Sequence, residues 1–271
     1  MKQVIISVLI ITMFSACNKD ETLPNVEADV AVVEAFLEPG RELTIALSKM
    51  LPFTEDEFTG SLIIDTAEVY INYQGVDYLF TPVSEEPGKY KCPDSNLKVI
   101  AGDSYGLHFE YKGSFVNSVT IVPSKPINTN LSTNVYYIDS DAIGPGASQE
   151  PLIVSWNNPD NSYHLIVIEY LEPTYDPINE NLNEETYDGF RKVSTDPELG
   201  SSYNLDTRQH IVFFGSYRII IYKINEEYVN LYENISQSTL SLGEPLTNIE
   251  NGLGIFTGIN SDTLFLEVKK L

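Results

Sequence analysis

Few side chains in this sequence are of types that do proton or covalent chemistry, and their spacing limits what each can do. The imidazoles are His108, His164 and His210, and no two lie four residues apart as a helical zinc pair requires. There is no Gly-x-Ser-x-Gly elbow and no glycine-rich phosphate loop with its lysine. Carboxylates are abundant, 39 in all, so a pair suited to glycoside cleavage depends on the fold rather than on spacing along the chain. Thr54-Glu55-Asp56-Glu57 is acidic but lacks the regular oxygen-ligand spacing of a calcium loop. Cys92 lies in Lys89-Tyr90-Lys91-Cys92-Pro93 with no histidine beside it, and reads as a half-buried structural thiol. These residues predict a non-enzymatic protein with no metal and no cofactor.

Recognition chemistry has better candidates. Residues 171–207 are irregular, acidic and amide-rich, and Tyr175, Tyr187, Phe190 and Tyr203 are scattered through them. A loop of that length inside a compact domain is either a binding element or a solvated insertion. Exposed tyrosines beside polar groups are what binding surfaces use, so these four residues form the candidate binding loop. Trp156, the sole tryptophan, is expected between two sheets rather than as a sugar platform, and His164 is expected as a satisfied sheet histidine.

One cysteine has a different chemistry. Lys2 precedes an apolar run at residues 4–13, and Ser15 and Ala16 stand just before Cys17. That is the pattern of a lipoprotein signal peptide over residues 1–16, with Cys17 as the lipid acceptor. The apolar run is far short of the roughly 20 residues a membrane-spanning helix needs. Residues 17–28 form a tether. Asn18, not aspartate, follows the cysteine, and Lys19-Asp20-Glu21 resembles the charged signal that sends lipoproteins of the Bacteroidota to the cell surface. The expected location is the outer membrane, lipid-anchored and facing the exterior. The formal charge of −23 repels phosphate backbones, which argues against nucleic acid. It also keeps the chain from lying flat on an anionic bilayer, so the lipid alone holds it there.

The elements that carry these residues are strands. Ala31, Val33 and Ala35 alternate with Val30, Val32 and Glu34, and Pro39-Gly40 turns into Leu43, Ile45 and Leu47. Ala67, Val69 and Ile71 share a face, and Tyr105, Leu107, Phe109 and Tyr111 are spaced by two. Short alternating runs with turns between them predict a β-sandwich over residues 29–126. A connector near residue 127 leads to Val135-Tyr136-Tyr137-Ile138 and then to a second sandwich over 127–271. Its expected strands are Leu152 to Trp156, Tyr163 to Tyr170, Ile211 to Phe214, Arg218 to Ile224 and Leu264 to Val268. Asn225, then Tyr228, Leu231, Tyr232 and Ile235 at helical spacing, predict one short helix near 225–237.

Several stretches resemble a Bacteroidota lipoprotein family, domain of unknown function 4249. They are Val33-Glu34-Ala35-Phe36-Leu37-Glu38-Pro39-Gly40, Ala67-Glu68-Val69, Gly88-Lys89-Tyr90, Gly102-Asp103-Ser104-Tyr105, Val122-Pro123 and Asn248-Ile249-Glu250-Asn251-Gly252-Leu253-Gly254. Family members carry a second glycine where Asn251 stands, and asparagine tolerates the left-handed backbone that glycine would supply. The first sandwich resembles immunoglobulin- or transthyretin-type domains. The second, from its Trp156, proline turn and Tyr163, resembles a fibronectin type III domain. Genes of this family neighbour TonB-dependent transporters, so the resemblance implies a TonB-dependent outer-membrane barrel as partner. Asp65-Thr66-Ala67 and Asp262-Thr263-Leu264 resemble the O-glycosylation acceptor of the phylum, marking Thr66 and Thr263. The expected function is a non-enzymatic accessory in substrate capture or uptake, with the ligand unnamed. An assembly factor for outer-membrane proteins and a surface hydrolase are the alternatives.

Overall fold

The computed structural model describes residues 30–50, 62–94, 96–139, 150–206, 209–237 and 247–271. The signal segment, Cys17 and its tether, the acidic run at 54–57 and the glycine-proline segment at 144–148 lie outside the described residues.

β1 (Ala31–Leu37) buries Ala31, Val33, Ala35 and Leu37 and turns the residues between them the other way. It pairs antiparallel with β2 (Thr44–Lys49) through the turn at Pro39-Gly40, where Gly40 has φ +82°. β3 (Val69–Tyr73), β4 (Val76–Pro82), β5 (Lys89–Lys91), β6 (Ser104–Tyr111) and β7 (Ser114–Ile121) extend the sheet in the lateral order β1-β2-β5-β4-β3-β6-β7. Their inward residues build a core around Ile45, Ile71, Tyr90, Tyr105 and Phe109.

The second half supplies β8 (Ile127–Leu131), β9 (Val135–Ile138), β10 (Leu152–Asn157) and β11 (Tyr163–Tyr170). After a single 3-10 turn come α1 (Tyr187–Phe190), β12 (Lys192–Ser194), β13 (Ser202–Leu205), β14 (Gly215–Ile224), α2 (Glu226–Gln237) and β15 (Leu253–Lys270). A three-stranded sheet, β13-β10-β8, packs on β12-β11-β14-β15, with β9 joined to the end of β15. Trp156, Val154, Ile166, Ile219, Ile221 and Leu266 fill the space between them. β11 reads as an apolar run because it is covered on both faces: Ile166 and Ile168 look into the sandwich, while Leu165 packs with Ile224 of β14 and with Val229 of α2. The architecture is therefore mostly β, sandwich-like, with one helix of more than a turn among the described residues.

The two halves share a strand. β15 is 18 residues long. Its first part runs parallel to β1, from Val32 opposite Leu253 to Leu37 opposite Gly258. Its remainder runs antiparallel to β14, from Ile224 opposite Ile259 to Gly215 opposite Val268. Gly254 makes the approach to β1 possible: it has φ +95°, and a Cβ there would sit 2.0 Å from the Val33 carbonyl oxygen. Asn251 does adopt the left-handed conformation, at φ +57°. The segment before β15 also closes the first sheet, because Glu250 N–H donates to the Asn117 carbonyl of β7 at 2.8 Å.

Three expectations change. The last strand begins at Leu253, not Leu264, and Ile249 and Phe256 from the C-terminal stretch belong to the first core. The sequence hides this because β15 carries Thr257, Asn260 and Ser261, polar residues that serve the contact between the halves. Asn260 Nδ2 donates to the Pro123 carbonyl at 2.9 Å, and Thr257 Oγ1 donates to Glu227 Oε1 at 3.1 Å. Residues 211–214 form no strand beyond one bridge between Phe213 and Pro177, whereas the polar stretch 127–131 does form one, β8. Asn225 precedes α2, but its side-chain amide reaches across to the Ile121 carbonyl at 2.9 Å.

Candidate binding face

The predicted binding loop is folded. All four of its rings are half-buried rather than exposed. Tyr175, on the stretch after β11, packs at a tilt against Phe213 at 4.9 Å and Tyr187 at 5.3 Å between centroids, and Tyr187 meets Phe213 edge-on at 5.3 Å. The Tyr175 hydroxyl donates to Asp188 at 2.5 Å and accepts from Arg191 Nε at 2.8 Å, while the Arg191 guanidinium lies 4.7 Å from the same ring. Phe190 packs against the second core from α1. Tyr203 stands apart from this group: it sits on β13, edge-on to His210 at 5.8 Å. The fold thus packs Tyr175 and Tyr187 against each other and Phe213, with Phe190 on the same core.

The other polar residues of interest lie where the halves meet. His164 is 1% exposed. Its Nδ1 faces the Ser162 carbonyl at 3.1 Å, which only accepts, so Nδ1 carries the proton. Among the described residues Nε2 is then a buried acceptor with no partner, and Trp156 Nε1, on a ring 5.0 Å away, a buried donor with no partner. Burial pulls the His164 pKa down to about 4. A hollow of about 170 Å³ adjoins it, lined also by Ser124, Asp160 and Lys223. Lys223, itself buried, is tied to Asp160 and to Ser124 Oγ. His210 uses the other tautomer, since its Nδ1 accepts from the Asp206 N–H at 2.9 Å, and burial lowers its pKa.

An open aromatic face exists elsewhere, on the outer side of β3, β6 and β7. Register aligns Tyr70 with His108 and His108 with Asn117, and two residues on aligns Asn72 with Gly106 and Gly106 with Val119. The Tyr70 and His108 rings stack at 5.3 Å with planes 13° apart, and His108 and Phe115 at 5.8 Å with planes 28° apart. Beside this row Phe115, Val119 and Ile121 are 52%, 65% and 57% exposed. Two clefts flank it. One, of about 480 Å³, lies along the rings and is lined by Thr66, Glu68, Tyr70, His108, Glu110 and Phe115, with Ala67 and Phe109 behind them. The other, of about 490 Å³, opens where Gly106 leaves a gap beside Val119, with Asn72, Gln74 and Asp103 around it. There the Tyr73 hydroxyl donates to Asp103 at 2.7 Å, which pushes the Tyr73 pKa up to about 12. Alternation had already separated Tyr70 from Val69 and Ile71; the missing signal was the lateral register that brings 70, 108 and 115 together.

Thr66 and Thr263 are both exposed, Thr66 in the first cleft and Thr263 on the outward side of β15. Cys92 is half-buried and its pKa is raised by burial, which suits a structural thiol rather than a nucleophile. No group of three or more His, Cys, Asp or Glu among the described residues is placed to hold a metal, and no described helix is long and apolar enough to cross a membrane.

The family-like motifs quoted above serve packing. Gly88, at φ +82°, lets its carbonyl accept from Leu47 N–H at 2.8 Å, and the Tyr90 hydroxyl donates to the Ile64 carbonyl at 3.0 Å from inside the core. Tyr105 donates to the Lys98 carbonyl at 2.7 Å and accepts from Ile100 N–H at 2.9 Å. Among solved structures, the FN1–FN3 domains of chicken CNTN1 align over 88% of this chain and 67% of that one, at 14% identity and a TM-score of 0.30. Domains A168–A170 of titin align over 88% and 66%, at 8% identity and 0.21. No curated protein matches the chain. The profile described as Domain of unknown function (DUF4249) matches residues 19–264, nearly the whole chain, and the protein belongs to that family.

Proposed function

We propose that this protein is a surface-exposed, lipid-anchored outer-membrane lipoprotein that works as a non-enzymatic binding module beside a TonB-dependent barrel, in substrate capture or uptake. The observation that supports a binding role is the outer face of β3, β6 and β7, where stacked rings and exposed Val119 and Ile121 border two open clefts. Large apolar side chains gathered on one surface are a mark of interaction sites. The anchor at Cys17 is the sequence support for location, and Thr66 and Thr263 are its candidate glycan acceptors.

The test is a mild-detergent pull-down of the lipidated protein from its own outer membrane, read by mass spectrometry. Near-stoichiometric recovery of a TonB-dependent barrel is the expected result, and Cys17→Ser should release the chain from the membrane. Recovery of outer-membrane assembly machinery instead would replace the accessory reading with an assembly role, and a solitary protein would remove the partner.

A further inference from the structure

The cleft along the rings has a charge pattern that narrows what it takes. Its wall is the row Tyr70, His108 and Phe115. Its rim carries Glu68 and Glu110, both exposed, and among the described residues neither lysine nor arginine lines it. The β3–β6 register ends with Tyr70 opposite His108; Glu68, just before β3, and Glu110, two residues past His108 on β6, both lie beyond that pair and line the same cleft. Like charges gathered at one rim repel. The Tyr70 hydroxyl donates to Glu68 at 3.5 Å, a long bond that offsets little of this. No ion pair to Glu68 or Glu110 appears among the described residues.

Resting on the reading of this face as a binding surface, we infer that the cleft takes a guanidinium group, such as an arginine side chain of a peptide. The ring wall and the volume carry the site; the carboxylates decide its sign. A planar, weakly hydrated cation stacks on aromatic faces and pairs with carboxylates through a fixed fork of N–H donors, which a compact ammonium does less well. The excess of acidic over basic residues, 39 against 16, adds a long-range field that draws cations to the surface. A phosphate or carboxylate ligand meets the opposite field and no partner cation in the cleft.

The experiment compares N-acetyl-arginine amide with its neutral isostere N-acetyl-citrulline amide on the full chain, by calorimetry and by the aromatic NMR signals of Tyr70, His108 and Phe115. Arginine amide should bind about tenfold more tightly than the citrulline compound, the sum of an exposed cation–π contact and an exposed ion pair. The double variant Glu68→Gln/Glu110→Gln should lose the ion-pair share of that preference without a fall in Tm, since neither carboxylate has an ion-pair partner among the described residues; Phe115→Leu should weaken binding of both amides and lose the cation–π share. Equal binding of the two amides, or a fall in Tm for the double variant, would overturn the inference. Neutral oligosaccharide bound at the same signals would overturn the guanidinium while keeping the face as a binding surface. No binding of any probe together with a recovered barrel in the pull-down would overturn the inference and leave the proposed function standing.

Discussion

Tyr170, Tyr175, Tyr187 and Phe213 in the second sandwich and Tyr70, His108 and Phe115 on the first are rings at similar spacings, 4.9–5.9 Å against 5.3–5.8 Å. In the second sandwich every ring has a ring on more than one side, and the hydroxyls are spent as well. The Tyr170 hydroxyl shares its one proton between the Thr174 and Phe214 carbonyls, at 3.0 and 2.9 Å, and Tyr175 donates to Asp188. On the first sandwich the row ends in open space at a cleft, with Phe115 half out of the surface. Ring content alone does not separate a packing cluster from a recognition surface. What separates them is whether faces and hydroxyls still lack partners once the chain has folded.

The contrast can be broken most directly by truncation. Phe213→Ala should cost about 3–5 kcal/mol of unfolding free energy, because a fully buried ring is replaced by a void under three others. Denaturant unfolding measures it, and a cost no larger than that of Phe115→Ala would erase the distinction. A buried ring of another kind sharpens it through pH. His164 is held neutral in the folded state, with its pKa at about 4 against an ordinary 6.5. The unfolded chain therefore binds the proton first. Stability is full above about pH 6.5 and falls as pH drops toward 4, by on the order of 3 kcal/mol. The slope in that window should flatten in His164→Phe. Less costly is Tyr175→Phe, which removes the hydroxyl bonded to Asp188 and Arg191 and should lose about 1 kcal/mol, with faster amide exchange across residues 172–191. Smallest is Phe115→Ala, expected within about 1 kcal/mol of the parent chain because its ring is half exposed and already partly in water.

Local alternation made most strands of the first sandwich legible. Val33 and Ala35, Val69 and Ile71, and Leu107 and Phe109 fall inward where their period of two predicts. Turn chemistry was legible too: Gly40 and Asn251 both have positive φ. β15 was not, because Thr257, Asn260 and Ser261 interrupt its apolar period in order to face the other half of the molecule. The aromatic loop misled for a related reason. Tyr175 and Tyr187 sit among acidic and amide residues and look solvated, yet Phe213, 38 residues beyond Tyr175, comes to cover them. The outer face was invisible because its three rings come from three strands, and only their register brings them side by side.

The strand shared by both halves also decides how the molecule bears a pull. A chain held at its N-terminus and drawn away by its far sandwich loads β1 against β15. Those strands run parallel over six register pairs, so the load acts along them in shear. Hydrogen bonds in shear must yield together, whereas strands peeled from one end yield one at a time. Alongside the connector at 122–126, tension therefore crosses between the sandwiches through a block of backbone bonds.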